Sequence, residues 1–378
     1  MSPKKIPIVS GEPSGDLHAS NLVKDLKALD PDLKFFGLGG NLSKKAGVDV
    51  IFDIAELAII GIAEVFRHLS TIRKIYARII DRIESERPDL AILVDYPGFN
   101  LRLAKALKRR NIPVIYYISP QIWAWGMDRI ATIKACVVKM IVFFKFEEEL
   151  YRLHGVDAEF VGHPLLDAVK VTASKDQTFK KYALAPGKTT IALLPGSRKT
   201  EIARMLPTLV SACRLIDKEL GGAQFIIAKH RDLPLALYKD AIGSSAIDVK
   251  IADGDTHNVV EACDFAIVTS GTATLETAIL GRPLIIVYKT SFVTACAYRL
   301  VRQTKLVGLV NIIAGKVVVP EVLQQRATPE KIASAALSII LDDKKKALMI
   351  EGLKNVASSL GTPGASQRAA RAILPYLK

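Results

Sequence analysis

The chain has 378 residues, of which 50% are hydrophobic and 24% charged, so it is long enough for two globular domains and is neither disordered nor fibrous. Lysine and arginine total 52 against 38 acidic residues, and the formal net charge of +14 favours an anionic partner such as a nucleotide, a nucleic acid or an anionic membrane surface. The basic residues are dispersed and no aromatic-rich RNA-binding motif occurs, so we expect no nucleic-acid partner.

The cysteines and histidines do not form metal or disulfide patterns. Four cysteines (Cys136, Cys213, Cys263 and Cys296) lie in apolar surroundings without a C-x-x-C pair, which indicates buried thiols in a reducing compartment. The six histidines form no H-E-x-x-H motif. We therefore expect no metal site and no cofactor.

The N-terminal apolar run is too short for a signal peptide, and no uncharged stretch reaches the roughly 18 residues of a membrane span. This predicts a cytoplasmic protein. The segment 57–69 is apolar and is followed by Arg73, Lys74 and Arg78. It predicts either an interfacial helix on anionic lipid or an ordinary buried helix.

The first half of the chain alternates β-branched runs with amphipathic helical patterns. The predicted strands cover 6–10, 34–38, 89–94 and 113–118, and the predicted helices cover 20–29, 72–86 and 101–110. Strands and helices that alternate with short turns predict a parallel, doubly wound α/β sheet.

A second α/β cycle begins near residue 187. Its predicted strands cover 190–194, 224–228, 265–269 and 283–288, with a helix over 203–219 and another that begins after Gly271. We place the first domain at 1–170 and the second at 171–354, with 172–187 as the candidate linker. A C-terminal helix over about 355–378 is expected to pack back on the first domain.

Ligands bind outside the carboxyl ends of the strands in open α/β sheets, so the residues after each strand are candidate site residues. The first such segment, S-G-E-P-S-G-D-L-H over 10–18, carries Glu12, Ser14, Asp16 and His18. We expect these groups to precede the helix and to bind sugar hydroxyls, since the two acids would repel phosphate. The alternative is a plain turn in which Ser14 or Asp16 caps the helix.

Asp95 follows four apolar residues, so its carboxylate is predicted to be partly desolvated and basic, unless it only caps the next helix. Trp123, in S-P-Q-I-W-A-W-G, could pack on a sugar ring or an acyl chain, or belong to the core. His163, in G-H-P at the domain boundary, could contact ligand or support a hinge.

Two segments of the second half predict a nucleotide-sugar donor site. In L-P-G-S-R, the backbone at Gly196, the Ser197 hydroxyl and the Arg198 guanidinium are expected to hold a diphosphate, although the Walker A spacing is absent. In T-S-G-T-A-T-L-E, Ser270, Gly271 and Thr272 open a predicted helix and are expected to form a second anion site. Glu276 follows Thr272 by one helical turn on the same face and is expected to bind ribose.

Together with N-I-I-A-G over 311–315 and P-E-V-L-Q-Q over 320–325, these motifs resemble the lipid-A-disaccharide synthase family along nearly the whole chain. The resemblance implies a GT-B fold, in which two Rossmann-like domains face a cleft, the first for the acceptor and the second for the UDP-sugar. It also implies that Asp95 is the base, that Arg198 and Asn311 are active-site residues, and that the 270–276 segment binds UDP.

The reaction implied by the resemblance is an inverting transfer. The donor UDP-2,3-diacylglucosamine and the acceptor 2,3-diacylglucosamine 1-phosphate (lipid X) would give the β-1,6 disaccharide 1-phosphate and UDP. The enzyme would act peripherally on the cytoplasmic face of the inner membrane, as a monomer or a homodimer. The alternatives are another GT-B enzyme that acts on a UDP-sugar, such as an N-acetylglucosaminyltransferase or an epimerase, and a basic binding module. The residues alone leave the base open among Glu12, Asp16 and Asp95.

Overall fold

The computed structural model describes residues 4–58, 69–243, 247–290 and 306–377. The chain divides into two units, which we call unit 1 (Met1–Pro164 with Gly361–Lys378) and unit 2 (Leu165–Leu360). The candidate linker over 172–187 was predicted wrongly, because it contains the helix Lys175–Lys181. This helix starts with a reciprocal capping box between Ser174 and Gln177, which the polar composition had concealed.

Unit 1 is built on one parallel sheet with the strand order β3-β2-β1-β4-β5-β6-β7. Its strands are β1 (Lys5–Ser10), β2 (Lys34–Gly39), β3 (Val48–Asp53), β4 (Ala91–Val94), β5 (Val114–Tyr117), β6 (Lys139–Val142) and β7 (Ala158–Phe160). Its described helices are α1 (Pro13–Leu29), α2 (Asn41–Lys45), α3 (Ala55–Ala58), α4 (Leu69–Glu86), α5 (Pro97–Arg109), α6 (Ile130–Cys136) and α7 (Lys145–Leu153).

Unit 2 repeats this arrangement with the order β10-β9-β8-β11-β12-β13, again parallel. Its strands are β8 (Thr189–Leu194), β9 (Ala223–Lys229), β10 (Val249–Asp253), β11 (Phe265–Thr269), β12 (Leu284–Tyr288) and β13 (Glu321–Leu323). Its described helices are α8 (Leu165–Ala168), α9 (Lys175–Lys181), α10 (Lys199–Leu220), α11 (Leu235–Ile242), α12 (Thr256–Ala262), α13 (Thr272–Ile279), α14 (Leu309–Ala314), α15 (Pro329–Ile340) and α16 (Asp343–Ser359).

The last helix, α17 (Ala365–Ile373), belongs to unit 1 and packs against α1. The Arg368 Nε donates to the carbonyl of Val161 at 2.7 Å. Ile373 joins a buried apolar cluster with Leu22 of α1 on one face of the unit 1 sheet, while a second cluster covers the opposite face. Helices on both faces of a parallel sheet are the arrangement expected of near-continuous apolar strands.

The strand order reverses between β1 and β4 in unit 1 and between β8 and β11 in unit 2. Such topological switch points are where doubly wound folds bind ligands. In unit 1 the chain after β1 and β4 carries Glu12 and Asp95, and in unit 2 the chain after β8 and β11 carries Arg198 and Ser270. The fold therefore brings the predicted residues of each unit to one edge of its sheet.

The predictions on membrane contact and metal binding can be compared with the described residues only. Of the apolar segment 57–69, residues 59–68 lie outside the described residues. Among the helices that the structure describes, none is both long and apolar enough to span a bilayer. Cys136, Cys213 and Cys263 are buried free thiols, and the described ranges hold no cluster of three or more potential metal ligands.

Candidate active site

The turn after β1 is shorter than the sequence indicated. α1 begins at Pro13, with Glu12 at its N-cap position, because proline at a first helical position has a backbone already suited to the helix. Ser14, Asp16 and His18 therefore lie within the helix, and the expectation that they precede it was wrong. Glu12 and Ser14 are exposed, whereas Asp16 is buried.

Asp16 holds the neighbouring turn of the protein together. Its carboxylate accepts N–H bonds from Gly40 (2.7 Å), Leu42 (3.1 Å) and Ser43 (3.1 Å), and so caps α2. A Cβ on Gly40 would lie 2.7 Å from the Asp16 Oδ2, so this close contact requires glycine. These three bonds give the buried Asp16 carboxylate a structural role, in place of the expected contact with sugar hydroxyls.

Asp95 lies at the end of β4 in a strained backbone. Asp95 and Tyr96 have φ values of 48° and 49°, which cost side-chain-bearing residues about 1–3 kcal/mol each. Three contacts stabilise the turn: the Asp95 N–H donates to the Tyr117 carbonyl (2.9 Å), and the Asp95 carbonyl accepts from the Tyr116 hydroxyl (2.6 Å) and the Asn100 Nδ2 (2.8 Å). Strain that is held by surrounding contacts is common at active sites.

The environment of the Asp95 carboxyl makes it a stronger base than an ordinary aspartate. Burial, with the nearby Glu12 charge as the second cause, raises the pKa of Asp95 from 3.8 to about 6. A Cβ on Gly11 would lie 2.2 Å from the Tyr96 ring, so glycine at this position lets the ring lie against the turn. Asp95 is thus half-buried, ionised at neutral pH and poised to accept a proton.

Trp123 is anchored by a buried acid that the sequence analysis missed. Its Nε1 donates to the Glu147 Oε1 at 3.1 Å, and Glu147 is 3% exposed. Burial raises the pKa of Glu147 to about 8, which favours the neutral carboxyl at pH 7. Glu147, Glu148 and Tyr151 share the buried face of α7, and their helical spacing could have indicated a buried acid. It did not stand out in the sequence, because acids in a charged run are usually solvated.

A continuous row of aromatic and imidazole rings runs from Trp123 to His18. The centroid distances between successive rings are Trp123–Phe146 5.4 Å, Phe146–Phe144 5.5 Å, Phe144–His163 5.1 Å, His163–Phe143 5.6 Å and Phe143–His18 5.4 Å. Burial lowers the pKa of both His18 and His163 to about 4, with the His18 charge adding to the effect at His163. Both imidazoles are therefore neutral at pH 7. Phe143 and Phe144 in the middle of the row are buried, whereas the other rings are half-buried.

The first donor-site loop of unit 2 differs from the prediction. The Glu201 Oε2 accepts the N–H groups of Ser197 (3.0 Å) and Arg198 (3.3 Å), so these amides are not free to hold a diphosphate as expected. The Glu201 Oε1 also pairs with the Arg198 Nη1 at 2.8 Å, which orients a guanidinium that is 75% exposed. A Cβ on Gly196, whose φ is 119°, would lie 2.5 Å from the Glu201 Oε2. The loop therefore presents the Arg198 side chain rather than its backbone.

The second loop opens α13 as predicted. Gly271 has φ 151° and precedes Thr272, the first residue of the helix, where N–H groups lack intrahelical acceptors. A cavity of about 360 Å³ brings the two loops together. Its lining includes Gly196, Ser197, Arg198, Glu201, Ser270, Gly271, Thr272 and Glu276. A guanidinium and a helix N-terminus in one cavity suit a diphosphate.

Glu276 also lines an adjoining cavity of about 420 Å³, together with His257, which the sequence analysis missed. The Lys170 N–H donates to the His257 Nδ1 at 3.3 Å, so in the neutral imidazole the proton resides on Nε2. This Nε2 lies 3.8 Å from the Glu276 Oε2. His257 therefore stands where it can orient the carboxylate that we expect to bind ribose.

Asn311 is fully buried and its amide group is satisfied within the protein. Its Nδ2 donates to the Val319 carbonyl and the Glu321 Oε1, both at 2.8 Å, and its Oδ1 accepts the N–H groups of Val318 (2.8 Å) and Val319 (3.0 Å). These bonds tie α14 to the start of β13. The structure thus gives Asn311 a positioning role, and the expectation of direct substrate contact is not supported.

Comparison with known proteins identifies the family. The family model described as lipid-A-disaccharide synthetase matches residues 6–372. The lipid-A-disaccharide synthase of Syntrophus aciditrophicus is 44% identical, over 100% of this chain and 99% of that protein.

Solved structures show the same fold at low identity. The UDP-GlcNAc 2-epimerase of Neisseria meningitidis has a TM-score of 0.64 at 13% identity, over 98% of this chain and 100% of that one. The calicheamicin glycosyltransferase CalG4 has a TM-score of 0.63 at 15% identity, over 100% and 99% of the two chains. The two Rossmann-like units are therefore a GT-B fold, and the chain belongs to the lipid-A-disaccharide synthase family of glycosyltransferases.

Proposed function

We propose that the chain joins UDP-2,3-diacylglucosamine and 2,3-diacylglucosamine 1-phosphate into the β-1,6 disaccharide 1-phosphate with release of UDP. The observation that carries the proposal is the unit 2 cavity, which combines the Arg198 guanidinium, the N-terminus of α13 and the Glu276 carboxylate. Membership of the family supports the choice of the two lipid substrates.

Unit 2 would bind the donor. Arg198 and the first N–H groups of α13 supply positive charge for the diphosphate, on which negative charge grows as the sugar leaves. Glu276 lies one helical turn after Thr272 on the same face and accepts the ribose hydroxyls. Glu201 acts through Arg198, and Asn311 acts through the backbone that it holds.

Unit 1 would bind the acceptor. The Asp95 carboxylate takes the proton of the acceptor 6-hydroxyl. At the same time, the oxygen of that hydroxyl forms a bond to the anomeric carbon of the donor. The bond from that carbon to the diphosphate breaks at the same centre, through a transition state with oxocarbenium character, and UDP leaves. Attack on the face opposite the leaving group inverts the configuration. The half-buried rings of Trp123 and Phe146 offer apolar faces for the acceptor, and Glu12 and Ser14 offer hydrogen-bonding groups.

We also propose peripheral contact with the cytoplasmic face of the inner membrane. Both substrates carry acyl chains, and the formal net charge of +14 favours an anionic surface. Vesicles with and without anionic lipid test this proposal. Salt-sensitive co-sedimentation with the anionic vesicles alone is expected, and equal partition to both would contradict it.

The reaction is tested with both lipids in detergent micelles, with products identified by mass spectrometry. We expect UDP and a disaccharide phosphate that form only when both lipids are present. UDP release without the acceptor, or a donor epimer in place of the disaccharide, would instead favour an epimerase or a different transferase.

A further inference from the structure

Arg129 is a half-buried cation at the active-site edge of unit 1 that neither the sequence motifs nor the proposed mechanism uses. It ends a short 3-10 helix, Met127–Arg129, in the connection that follows β5 and contains Trp123. Within the part of the chain that the structure describes, its guanidinium has no carboxylate at ion-pair distance and no hydrogen bond. Burial of a cation is costly unless an anion or a hydrogen-bond acceptor meets it, so a partly buried guanidinium without a partner is suited to bind an anion.

The other half-buried arginines among the described residues of unit 1 have partners. Arg110 pairs with Glu84, and the Arg368 guanidinium donates to the carbonyls of Val161, Thr362 and Pro363. Arg129 differs from both, since its guanidinium has no such partner among the described residues.

The Arg129 side chain lies against the backbone of Gly126. Gly126 has φ 87°, and a Cβ added there would lie 3.2 Å from the Arg129 Nε, 3.3 Å from its Cδ and 3.4 Å from its Cζ. The side chain thus folds back over a glycine that leaves room for it.

Arg129 lies near Tyr116, whose side chain contacts the backbone of the proposed base. Burial raises the pKa of the Tyr116 hydroxyl, the Arg129 charge opposes that shift, and the hydroxyl donates to the Asp95 carbonyl at 2.6 Å. One tyrosine side chain therefore connects the cation to the residue that would deprotonate the acceptor.

We propose that Arg129 binds the 1-phosphate of the acceptor sugar, an inference that rests on the proposed function. In the acceptor, the carbon that bears the phosphate and the carbon that bears the CH₂OH group both flank the ring oxygen. A base at the 6-hydroxyl and a cation at the phosphate thus need to lie within the width of one sugar ring. The planar guanidinium fork matches a phosphate in two parallel hydrogen bonds. Because Glu12 and Asp95 would repel the phosphate, Arg129 also offsets their charge.

The test compares two acceptors, 2,3-diacylglucosamine 1-phosphate and its methyl glycoside, which lacks the phosphate. For Arg129→Met we expect kcat/KM with the phosphorylated acceptor to fall about 10- to 100-fold, the value of one or two charge-assisted hydrogen bonds. The methyl glycoside should be turned over at the wild-type rate, and the KM for the donor should not change. Arg129→Lys, which keeps a point charge, should lose less.

Arg110→Met is the matched control, since Arg110 is also partly buried in unit 1 but is paired with Glu84 and follows the C-terminus of α5. It should alter neither acceptor. Equal losses of Arg129→Met with both acceptors, a loss confined to the donor KM, or no loss would each overturn the inference.

A binding measurement separates this inference from the proposed function. If the wild-type protein forms no disaccharide, the proposed function fails, and binding of the two acceptor lipids is then followed by tryptophan fluorescence. A preference for the phosphorylated lipid that disappears in Arg129→Met supports the Arg129 site in that case as well. Equal binding of both lipids by the wild-type protein rejects it.

Discussion

The two units share one strand order but use their switch points in opposite ways. In unit 2 the chain after β8 and β11 presents a cation, Arg198, and a helix N-terminus. In unit 1 the chain after β1 and β4 presents two acids, Glu12 and Asp95, and α1 starts with an exposed carboxylate at its N-cap. The difference shows that this topology selects the place of a site, while the turn residues select its charge.

Each unit has a glycine in the turn that carries its proposed functional residue, and the two glycines make room for different side chains. Gly11 makes room for the ring of Tyr96 beside Asp95, the proposed base, whereas Gly196 makes room for the carboxylate of Glu201 beside Arg198. In both turns the missing side chain lets a second residue approach the functional one. The two units can therefore be tested separately, with proton transfer assigned to one and donor binding to the other.

The largest expected effect is the loss of the proposed base in unit 1. Asp95→Asn should lower kcat about 100- to 10,000-fold, which is the usual contribution of a general base to the rate. The substitution keeps the size of the side chain. UDP binding, which we assign to unit 2, should stay at the wild-type value. Product formation and UDP titration measure the two effects, and Asp49→Asn, on the exposed side of β3, is the control.

Asp95→Asn should also stabilise the fold. The pKa of Asp95 lies at about 6 in the folded protein and at an ordinary 3.8 when unfolded, so the unfolded state loses its proton first and folding stability falls as pH rises from about 4 to about 6. Above pH 6 the variant should gain up to about 3 kcal/mol in chemical denaturation. A variant that is inactive and less stable than the wild type would place the defect in the fold and not in the proton transfer.

In unit 2, Arg198→Met should reduce kcat/KM about 100-fold, since a cation that meets charge growing on the leaving group contributes to the transition state. Arg204→Met, on the exposed face of the same helix, should leave kcat/KM unchanged. The phosphate preference for the acceptor should survive in Arg198→Met. Loss of that preference would contradict the assignment of Arg198 to the donor.

The pH profile sharpens the description of unit 1. Activity should fall as pH drops through about 6, because the Asp95 carboxylate is then protonated and cannot accept a proton. Glu12→Gln removes a negative charge that raises this pKa, so the acidic limb of kcat/KM should move to lower pH. A limb that stays in place would assign the ionisation to another group.

The sequence predicted the α/β class, the parallel sheets and the strand ends at which the polar groups lie, since apolar runs that alternate with helical patterns specify these directly. It did not predict the partners of the polar groups. Asp16 and Asn311 were predicted to belong to the site, and Glu201 had no predicted role. All three side chains accept backbone N–H groups. These partners come from distant or strained segments, so they depend on the completed fold.

The positive φ values at Asp95, Tyr96 and Ile118 were equally hidden from a sequence pattern, because residues with side chains seldom adopt them. Arg129 and His257 carried no motif at all. Their significance depends on a missing carboxylate in one case and on the tautomer of an imidazole in the other. A pattern of residue types specifies neither feature, since both are properties of the folded surroundings.

Glu147 tests whether the buried acid of unit 1 is structural. Because burial raises its pKa to about 8, Glu147→Gln should keep both kcat and the unfolding free energy close to wild type at pH 7. Glu147→Ala leaves the Trp123 N–H without its acceptor and should lose about 1–3 kcal/mol in chemical denaturation. A strong loss of activity in the well-folded Gln variant would show that the ionised carboxylate is required.

The smallest expected effect concerns His257 in unit 2. Since its Nε2 lies 3.8 Å from the Glu276 carboxylate, His257→Phe should raise the donor KM a few-fold, as loss of one polar neighbour would, with kcat unchanged. The comparison of UDP with 2′-deoxy-UDP isolates the ribose contact. The variant should bind the two nucleotides more equally than the wild type does, because a less oriented carboxylate distinguishes a ribose hydroxyl less well. Wild-type discrimination in the variant would show that Glu276 is held by the helix alone, and the orienting role of His257 would then be wrong.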